Sequence, residues 1–387
     1  MKVLLVLSAI LASTLALSDR PCSNNITNLW LDVVAVVDNS IGMSSDGLNS
    51  VAADLISVFS SSRIGSDPNE PRTTRVALVT YNVNATLKAD LNKYQSNNDF
   101  LNGIFSDLKV GSSEESFLAN GLALAEQLFF VKESSSSSRS HYQKVIIVYA
   151  SAFEGIDSLS PLPVAQRLRT DGVTIITVGY NQDGDGVLKG LQEIATRSYN
   201  FTNTDGALIP KVQNALMQAN CFCMNEWEQY RDSYADLFSP RHGVCLQLIS
   251  LPAIWKAAQM SCRNRFKKAY LANEYDQKKH DFIFEKVKNT TGFNYPYSYH
   301  IGLNYVNGAW MWDQPENHQM IENTDFSYWI PGYPKAASQM SAVQNSQNSL
   351  ATAWQNVAMY TVSSNYVCEV ASCDTSNYCT PSGLIGL

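Results

Sequence analysis

The stretch WLDVVAVVDNSIGMSS, residues 30–45, decides how the first half of this chain is read. An apolar run ends on Asp38, and Asn39, Ser40, Ile41 and Gly42 follow at once. A near-continuous Val-rich run predicts a strand buried on both faces, as in a parallel sheet covered by helices. Such a strand delivers a carboxylate and a hydroxyl to the loop at its carboxyl end, which is half of a site for a hard cation. Three more runs share its texture: RVALVTY (75–81), KVIIVYA (144–150) and VTIITVG (173–179). Between them apolar residues recur at helical spacing: Leu48, Val51, Ala52, Leu55 and Phe59, then Phe117, Leu118, Leu122, Ala125, Leu128 and Phe129. Strands alternating with helices predict an α/β doubly wound domain over residues 28–220. SSSSSRS at 134–140 reads as a flexible loop inside it, because the strand after it completes the same sheet. Ligands of such sheets bind outside the carboxyl ends of the strands, where Asp38 and Ser40 stand.

The chain has 387 residues, enough for two or three domains. MKVLLVLSAILASTLAL, residues 1–17, has one Lys, an apolar run and small residues near its end, the pattern of a secretory signal peptide. No later run reaches the roughly 18 apolar residues that cross a bilayer, so a soluble, secreted, extracellular protein is expected. The eight cysteines agree with that compartment: Cys22 stands alone, and Cys221, Cys223, Cys245, Cys262, Cys368, Cys373 and Cys379 fill the last part. A cysteine-free first half and a stapled second half point to two domains of different type. Sequons begin at Asn25, Asn84, Asn200 and Asn289. The net charge of −7 argues against a nucleic-acid partner, and no Lys/Arg run suggests a membrane-surface patch.

Over about 190 residues the first domain resembles the von Willebrand factor type A family. The likeness rests on the strand ending in Asp38-x-Ser40, the helix after it, the RVALVTY strand and the VTIITVGY strand. It implies a metal-ion-dependent adhesion site built from Asp-x-Ser-x-Ser, a Thr on a second loop and an Asp on a third. Here Asp38 and Ser40 match, Gly42 replaces the second Ser, Ser116 stands near the Thr position in GSSEESFLANGL, and Ser151 of YASAFEG stands at the Asp position. One carboxylate of two remains. No cofactor is expected: Asp38, Ser40 and Ser116 are degenerate metal positions for Mg²⁺ or Ca²⁺, and Asp38 and Ser40 instead satisfy loop amides and cap the following helix. Glu114, Glu115 or Glu154 remain open as substitute carboxylates. NQDGDGVLKGLQ, 181–192, copies a calcium loop at Asn181, Asp183, Asp185 and Gly186, but Gln192 replaces the bidentate Glu and a strand precedes it, so it reads as a polar turn.

From NCFCMNEW onward aromatics crowd in: Trp227, Tyr230, Tyr234, Phe238 and Trp255. Two helical segments follow, one with Ile254, Ala258 and Cys262 on a face, the other spanning about Asn273 to Lys288. Beyond them regular patterning is poor, and ASQMSAVQNSQNS reads as a long polar loop. From Cys223 to Val370, about 150 residues, the chain is similar to the C-type-lectin-like family. The ordered matches are C-x₃-W from Cys223, VC at Cys245, Trp255 and Ala258 leading to Cys262, HIGL (300–303), G-x-W-x-W (308–312), F-x-x-W-x-x-G-x-P (326–334), Trp354-Gln355-Asn356, and YVCE ending at Glu369. The resemblance implies an α+β fold, a disulfide-stapled unit of two helices, an antiparallel sheet and a long loop region that presents the binding surface, with 371–387 as a C-terminal tail. It implies the pairs Cys223–Cys245 and Cys262–Cys368, with Cys373–Cys379 closing a tail loop and Cys22–Cys221 left to bracket the first domain.

Sugar-binding members of that family hold Ca²⁺ through a Glu-Pro-Asn or Gln-Pro-Asp triplet and a Trp-Asn-Asp. Here the triplet position reads Tyr333-Pro334-Lys335, and the ammonium of Lys335 repels a cation. Trp354-Gln355-Asn356 has lost the carboxylate as well, and QPEN (314–317) mimics the triplet in the wrong loop. No calcium-dependent sugar site of the usual kind is expected. Tyr333, Lys335, Gln355 and Asn356 remain the candidate ligand-binding residues, with Tyr328 and Trp329 as aromatic neighbours able to stack on a sugar face or peptide, and Trp354 as core.

No catalytic pattern is present: the five His lack HExxH spacing, and there is no G-x-S-x-G, phosphate loop or dinucleotide glycine motif. The chain is therefore read as a non-enzymatic recognition protein that binds glycan or protein ligands at a microbial or host cell surface. The pairing of the two domains behind a signal peptide resembles a group of secreted nematode proteins associated with innate defence. The other reading left open is an extracellular matrix or mucus adhesion protein that binds protein partners through its first domain.

Overall fold

The computed structural model describes residues 17–132, 139–155, 157–180, 188–348 and 351–380. The signal-peptide reading of 1–17, except Leu17, lies outside the described residues. So do Asn181, Asp183, Asp185 and Gly186 of the calcium-like turn, and the tail from 381. The chain forms two compact units. Among the described residues, one comprises those of Pro21–Gln229, Phe238–Cys245 and 371–380; the other comprises those of 17–20, Tyr230–Leu237 and Leu246–Val370.

In the first unit the quoted stretch becomes strand β1 (Leu31–Asp38), with every residue buried. It is flanked by β2 (Arg75–Tyr81) and β4 (Gln143–Ala150), both parallel to it, and β4 pairs in parallel with β5 (Thr174–Gly179). With β3 (Ala85–Ala89) and β6 (Asn200–Thr202) the order is β3-β2-β1-β4-β5-β6. The sheet is not wholly parallel, because β3 runs antiparallel to β2. Only three residues join those two strands, too few for a crossover helix. Side chains of β1 divide by parity. Leu31, Val33, Ala35 and Val37 join a core that also holds residues of α1 (Ser44–Phe59), α2 (Asn97–Asp107) and α6 (Leu208–Ala219). Val34 and Val36 join a second core with α3 (Leu118–Gln127), α4 (Leu162–Thr170) and α5 (Leu191–Ile194). Each fully buried aliphatic side chain contributes about 1.5–3 kcal/mol. Gly121 lets α3 approach β1, since a Cβ there would sit 2.7 Å from Val36 Cγ1.

At the amino end of β1, the buried Asp32 carboxylate accepts from Arg75 Nε and Nη2 (2.9 and 2.6 Å) and from Arg139 Nε (3.1 Å). The start of the tail is fastened nearby: Trp30 Nε1 donates to the Asp374 carbonyl (3.0 Å), and the Trp30 and Tyr378 rings meet at 4.9 Å.

The second unit is α+β. Strand β8 (Arg241–Ile254), whose residues up to Cys245 count with the first unit, runs directly into α7 (Trp255–Arg265), which buries Trp255, Ala258, Gln259 and Cys262. The other helix, α8 (Gln277–Lys288), starts at the Asp276 cap, whose side chain accepts from the Lys279 amide. Its mostly antiparallel sheet follows the order β12-β11-β10-β15-β8-β7, where β7 is Glu228–Arg231, β10 Ser298–Val306, β11 Ala309–Trp312, β12 Ile321–Glu322 and β15 Ser363–Ala371. The short β9 (Tyr270–Leu271) pairs with β15. Part of the expected polar loop is instead strand β13 (Ala342–Asn348), paired along its length with β14 (Ala351–Val357). Backbone pairing needs no apolar side chains, so a strand whose residues after Ala342 and Val343 are all Gln, Asn and Ser leaves no hydrophobic period to read. Four disulfides, Cys22–Cys221, Cys223–Cys245, Cys262–Cys368 and Cys373–Cys379, pair all eight cysteines.

Candidate functional site

Asp38 ends β1 and is fully buried. Its Oδ1 accepts from the Ser40 amide at 2.8 Å. Its Oδ2 accepts from the Ser151 amide (3.1 Å) and the Ser151 hydroxyl (2.6 Å). Ser151 follows directly on β4, the strand beside β1, so parallel pairing brings it to Asp38 across the sheet edge. A buried carboxylate without donors costs several kcal/mol, and three hydrogen bonds remove that penalty. The expected loop-amide role of Asp38 is thus seen. The expected capping role of Ser40 is not: a 3₁₀ turn, Ile41–Met43, intervenes, Ser40 makes no capping hydrogen bond, and α1 begins after Met43.

Gly42 faces the same place. A Cβ there would lie 3.5 Å from Ser151 Oγ and 3.6 Å from Ser40 Oγ, so a side chain at the position of the second Ser of the Asp-x-Ser-x-Ser pattern would touch both hydroxyls. From the second loop, Ser116 is fully buried and its hydroxyl has no hydrogen-bond partner. Its amide donates to Glu154 Oε2 at 3.1 Å. All three substitute carboxylates are exposed, and of them Glu154 is the one hydrogen-bonded to Ser116. The Tyr81 phenol is buried here too. Burial first, then the charge of Asp38, hold its pKa well above the usual value. Among the described residues, no group of three or more His, Cys, Asp or Glu is gathered as metal ligands would be.

In the second unit the structure brings the four candidate ligand residues together. Lys335 Nζ lies 4.7 Å from the Tyr333 ring centre. Gln355 Nε2 donates to the Tyr333 hydroxyl at 2.8 Å. Asn356 is buried, its Oδ1 accepts from the Lys335 amide (2.8 Å), and its Nδ2 donates to the carbonyls of Lys335 (3.0 Å) and Met340 (2.8 Å). The side chain of Asn356 is therefore spent on shaping the 335–340 loop. Tyr333 is half-buried and Lys335 exposed, so those two offer surface to a partner.

Below that surface, Trp354 is fully buried, as its core reading requires. Its Nε1 donates to Glu274 Oε2 at 2.7 Å. Glu274 also accepts from His280 Nδ1 (2.9 Å) and Asn345 Nδ2 (2.7 Å). Burial alone would raise the Glu274 pKa, but His280 and the two neutral donors pull it below the usual value. Burial alone would lower His280, but Glu274 outweighs it and the pKa is raised. The His280 ring meets Tyr328 edge-on at 4.7 Å, linking this ion pair to the loop that precedes Tyr333. Glu274 and His280 stand six residues apart, but nothing local marks them as a pair, and their other partners lie 71 and 80 residues away for Glu274 and 72 for His280.

Residues 32–215 match the model of the von Willebrand factor type A domain family. The chain is 25% identical over 379 residues to C-type lectin domain-containing protein 160 of Caenorhabditis elegans, covering 94% of this chain and 56% of that protein. It thus spans little more than half the length of that curated relative. Over 173 residues it is 30% identical to the collagen alpha-6(VI) chain of Mus musculus, 44% of this chain and 7% of that one. Among solved structures, it is similar to proximal thread matrix protein 1 of the mussel byssus, with 22% identity, a TM-score of 0.40, and coverage of 49% of this chain and 46% of the other. Both domain types are generally non-enzymatic binding modules. No helix among the described residues is long and apolar enough to cross a membrane.

Proposed function

The chain joins a von Willebrand factor type A domain to a C-type-lectin-like domain, and from that premise we propose that it is a secreted recognition protein binding glycan or protein ligands on microbial or host surfaces in innate defence, without a divalent cation. One observation carries the metal-free part. Both oxygens of Asp38 already accept hydrogen bonds from Ser40 and Ser151, and Ser151 supplies a donor where a cation needs a second charge. The residues present fit a hydrogen-bonded cluster better than Mg²⁺, which wants six oxygens and enough negative charge to offset dehydration. In the lectin-like unit, Asn356 is committed to its own loop, and an exposed ammonium stands in the triplet.

The ligand surface proposed is the Tyr333–Lys335 edge with Gln355 behind it. A phenol ring supplies apolar area with a polar rim, and a lysine supplies a charge that suits acidic groups. Four disulfides, a leader-like start and the sequons at Asn25, Asn84, Asn200 and Asn289 support export and glycosylation. The test is binding of the purified protein to an array of glycans and microbial cell-wall polymers, with and without EDTA. Binding that survives EDTA and falls with Tyr333→Ala supports this reading. Binding abolished by EDTA refutes its metal-free part. A blank array together with binding to matrix proteins favours the adhesion reading instead.

A further inference from the structure

The first unit holds a cavity of about 940 Å³ at the amino end of β5, where Thr174 opens the strand. This is the opposite strand end from the one that carries Asp38, so it is separate from the site described above. Its wall is basic. Arg169, Arg197 and Arg241 line it against one carboxylate, Glu193, in a chain whose net charge is −7. Three exposed arginines lining one concavity of an acidic protein give it a local positive potential that favours an anion.

The wall is also ordered. Arg169 Nη1 donates to the carbonyls of Glu193 and Ala195, both at 2.9 Å, which leaves most of its N–H donors uncommitted to those two groups. The Arg197 guanidinium lies 5.4 Å from the centre of the Phe238 ring, and Phe238 is 53% exposed. Ser198, next to Arg197 in the chain and also on the wall, holds φ at +73°, a conformation that costs a non-glycine residue free energy and marks sites held by their surroundings. A large ring half open to water beside three forked cations suits one class of ligand. Arginine forks match sulfate and carboxylate oxygens bidentately, and an aromatic face packs on the C–H face of a sugar.

We propose that this cavity binds an acidic saccharide, with sulfate or carboxylate groups on Arg169, Arg197 and Arg241 and a sugar ring on Phe238. The volume is at the upper end of the range that holds a small-molecule ligand, which fits an oligosaccharide of a few residues rather than a lone ion. The recognition is distinct from that proposed for the Tyr333–Lys335 edge, and neither depends on the other.

The experiment uses the full chain and calorimetric titration with a heparin-derived tetrasaccharide, the same tetrasaccharide after desulfation, a hyaluronan oligosaccharide, and inorganic sulfate. Tetrasaccharide binding that weakens with added salt is expected. Arg197→Ala and Arg241→Ala should each weaken it roughly tenfold, because a charge-assisted hydrogen bond is lost in each. Phe238→Ala should weaken it less, and Tyr333→Ala not at all. Thermal midpoints of the variants show that they fold. Hyaluronan binding alone would assign carboxylate as the recognised group; loss on desulfation would assign sulfate; either supports the proposal. Equal affinity for inorganic sulfate and the tetrasaccharide overturns it, as does full affinity in the Arg197→Ala/Arg241→Ala double variant. Asn200 also lines the cavity and heads a sequon. An intact mass showing a glycan on Asn200 that occupies the cavity, seen as titration recovered only after its removal, overturns it as well.

Discussion

The hydrogen bonds at Asp38 make a sharp prediction about Ser151. Its hydroxyl donates to Asp38 Oδ2 at 2.6 Å, and Asp38 is fully buried. A hydrogen bond to a charged group contributes about 1.5–3 kcal/mol, so Ser151→Ala should destabilise the first unit by that amount. For a domain of this size that lowers the unfolding midpoint by about 3–12 °C. Ser151→Asp tests the same geometry with opposite chemistry. It removes the donor and places a second carboxylate about 4 Å from the first, a repulsion of about 4 kcal/mol at an effective dielectric of 20. That variant should unfold lower still in EDTA. Millimolar Mg²⁺ should then recover about 2.7 kcal/mol if the concentration reaches a hundred times the dissociation constant. Adding Gly42→Ser should strengthen the recovery, because the new side chain starts from a Cβ within 3.6 Å of both the Ser40 and the Ser151 hydroxyls and adds an oxygen beside them. The assay is thermal unfolding by calorimetry of the whole chain, each variant in EDTA and in Mg²⁺. Wild type should show the same midpoint in both. A wild-type midpoint that rises in Mg²⁺, or a Ser151→Asp variant indifferent to the cation, refutes the reasoning.

Other outcomes follow from single contacts. Asp32→Ala should cost about 3–5 kcal/mol, read by denaturant unfolding, because it strands the buried Arg75 and Arg139 charges. Asn356→Ala removes three hydrogen bonds, about 3 kcal/mol in all, and should raise protease sensitivity near 335–340. The raised His280 pKa means its stabilisation is full below its unfolded value near 6.5 and is lost as pH rises through the folded value. The lowered Glu274 pKa adds stability that is present above 4.5 and lost as pH falls through the folded value. The lectin-like unit should therefore weaken above about pH 6.5, and His280→Gln should flatten that slope in a midpoint-against-pH series. Replacing both Cys22 and Cys221 with Ser should cost about 5 kcal/mol, since their bridge spans 199 residues of sequence; an unchanged midpoint would show that the denatured chain is not loosened by its loss.

Much of the fold was legible because it is written in local pattern. The four Val- and Ile-rich runs are central strands, with β1 at 31–38 and β2 at 75–81 as read, because a strand buried on both faces needs apolar residues throughout. Strand β13 was not legible, because its Gln, Asn and Ser residues pair through backbone and carry no hydrophobic period. The residue types of both degraded sites could be read directly: Gly42, Ser151, Tyr333 and Lys335 stand where other chemistry is wanted. What they do instead could not. Whether Ser151 donates to Asp38, which of Glu114, Glu115 and Glu154 reaches Ser116, and whether Asn356 faces a ligand or its own loop depend on side-chain directions. Those directions are settled by which strands lie side by side. The cluster of Arg169, Arg197 and Arg241 makes the same point, since it gathers residues 72 positions apart, 241 minus 169. Sequence alone determined the elements and the chemical stock at each loop, because propensity and burial act over a few neighbours. Only the tertiary structure decided which charges meet, because electrostatic and hydrogen-bond partners are chosen by distance in space.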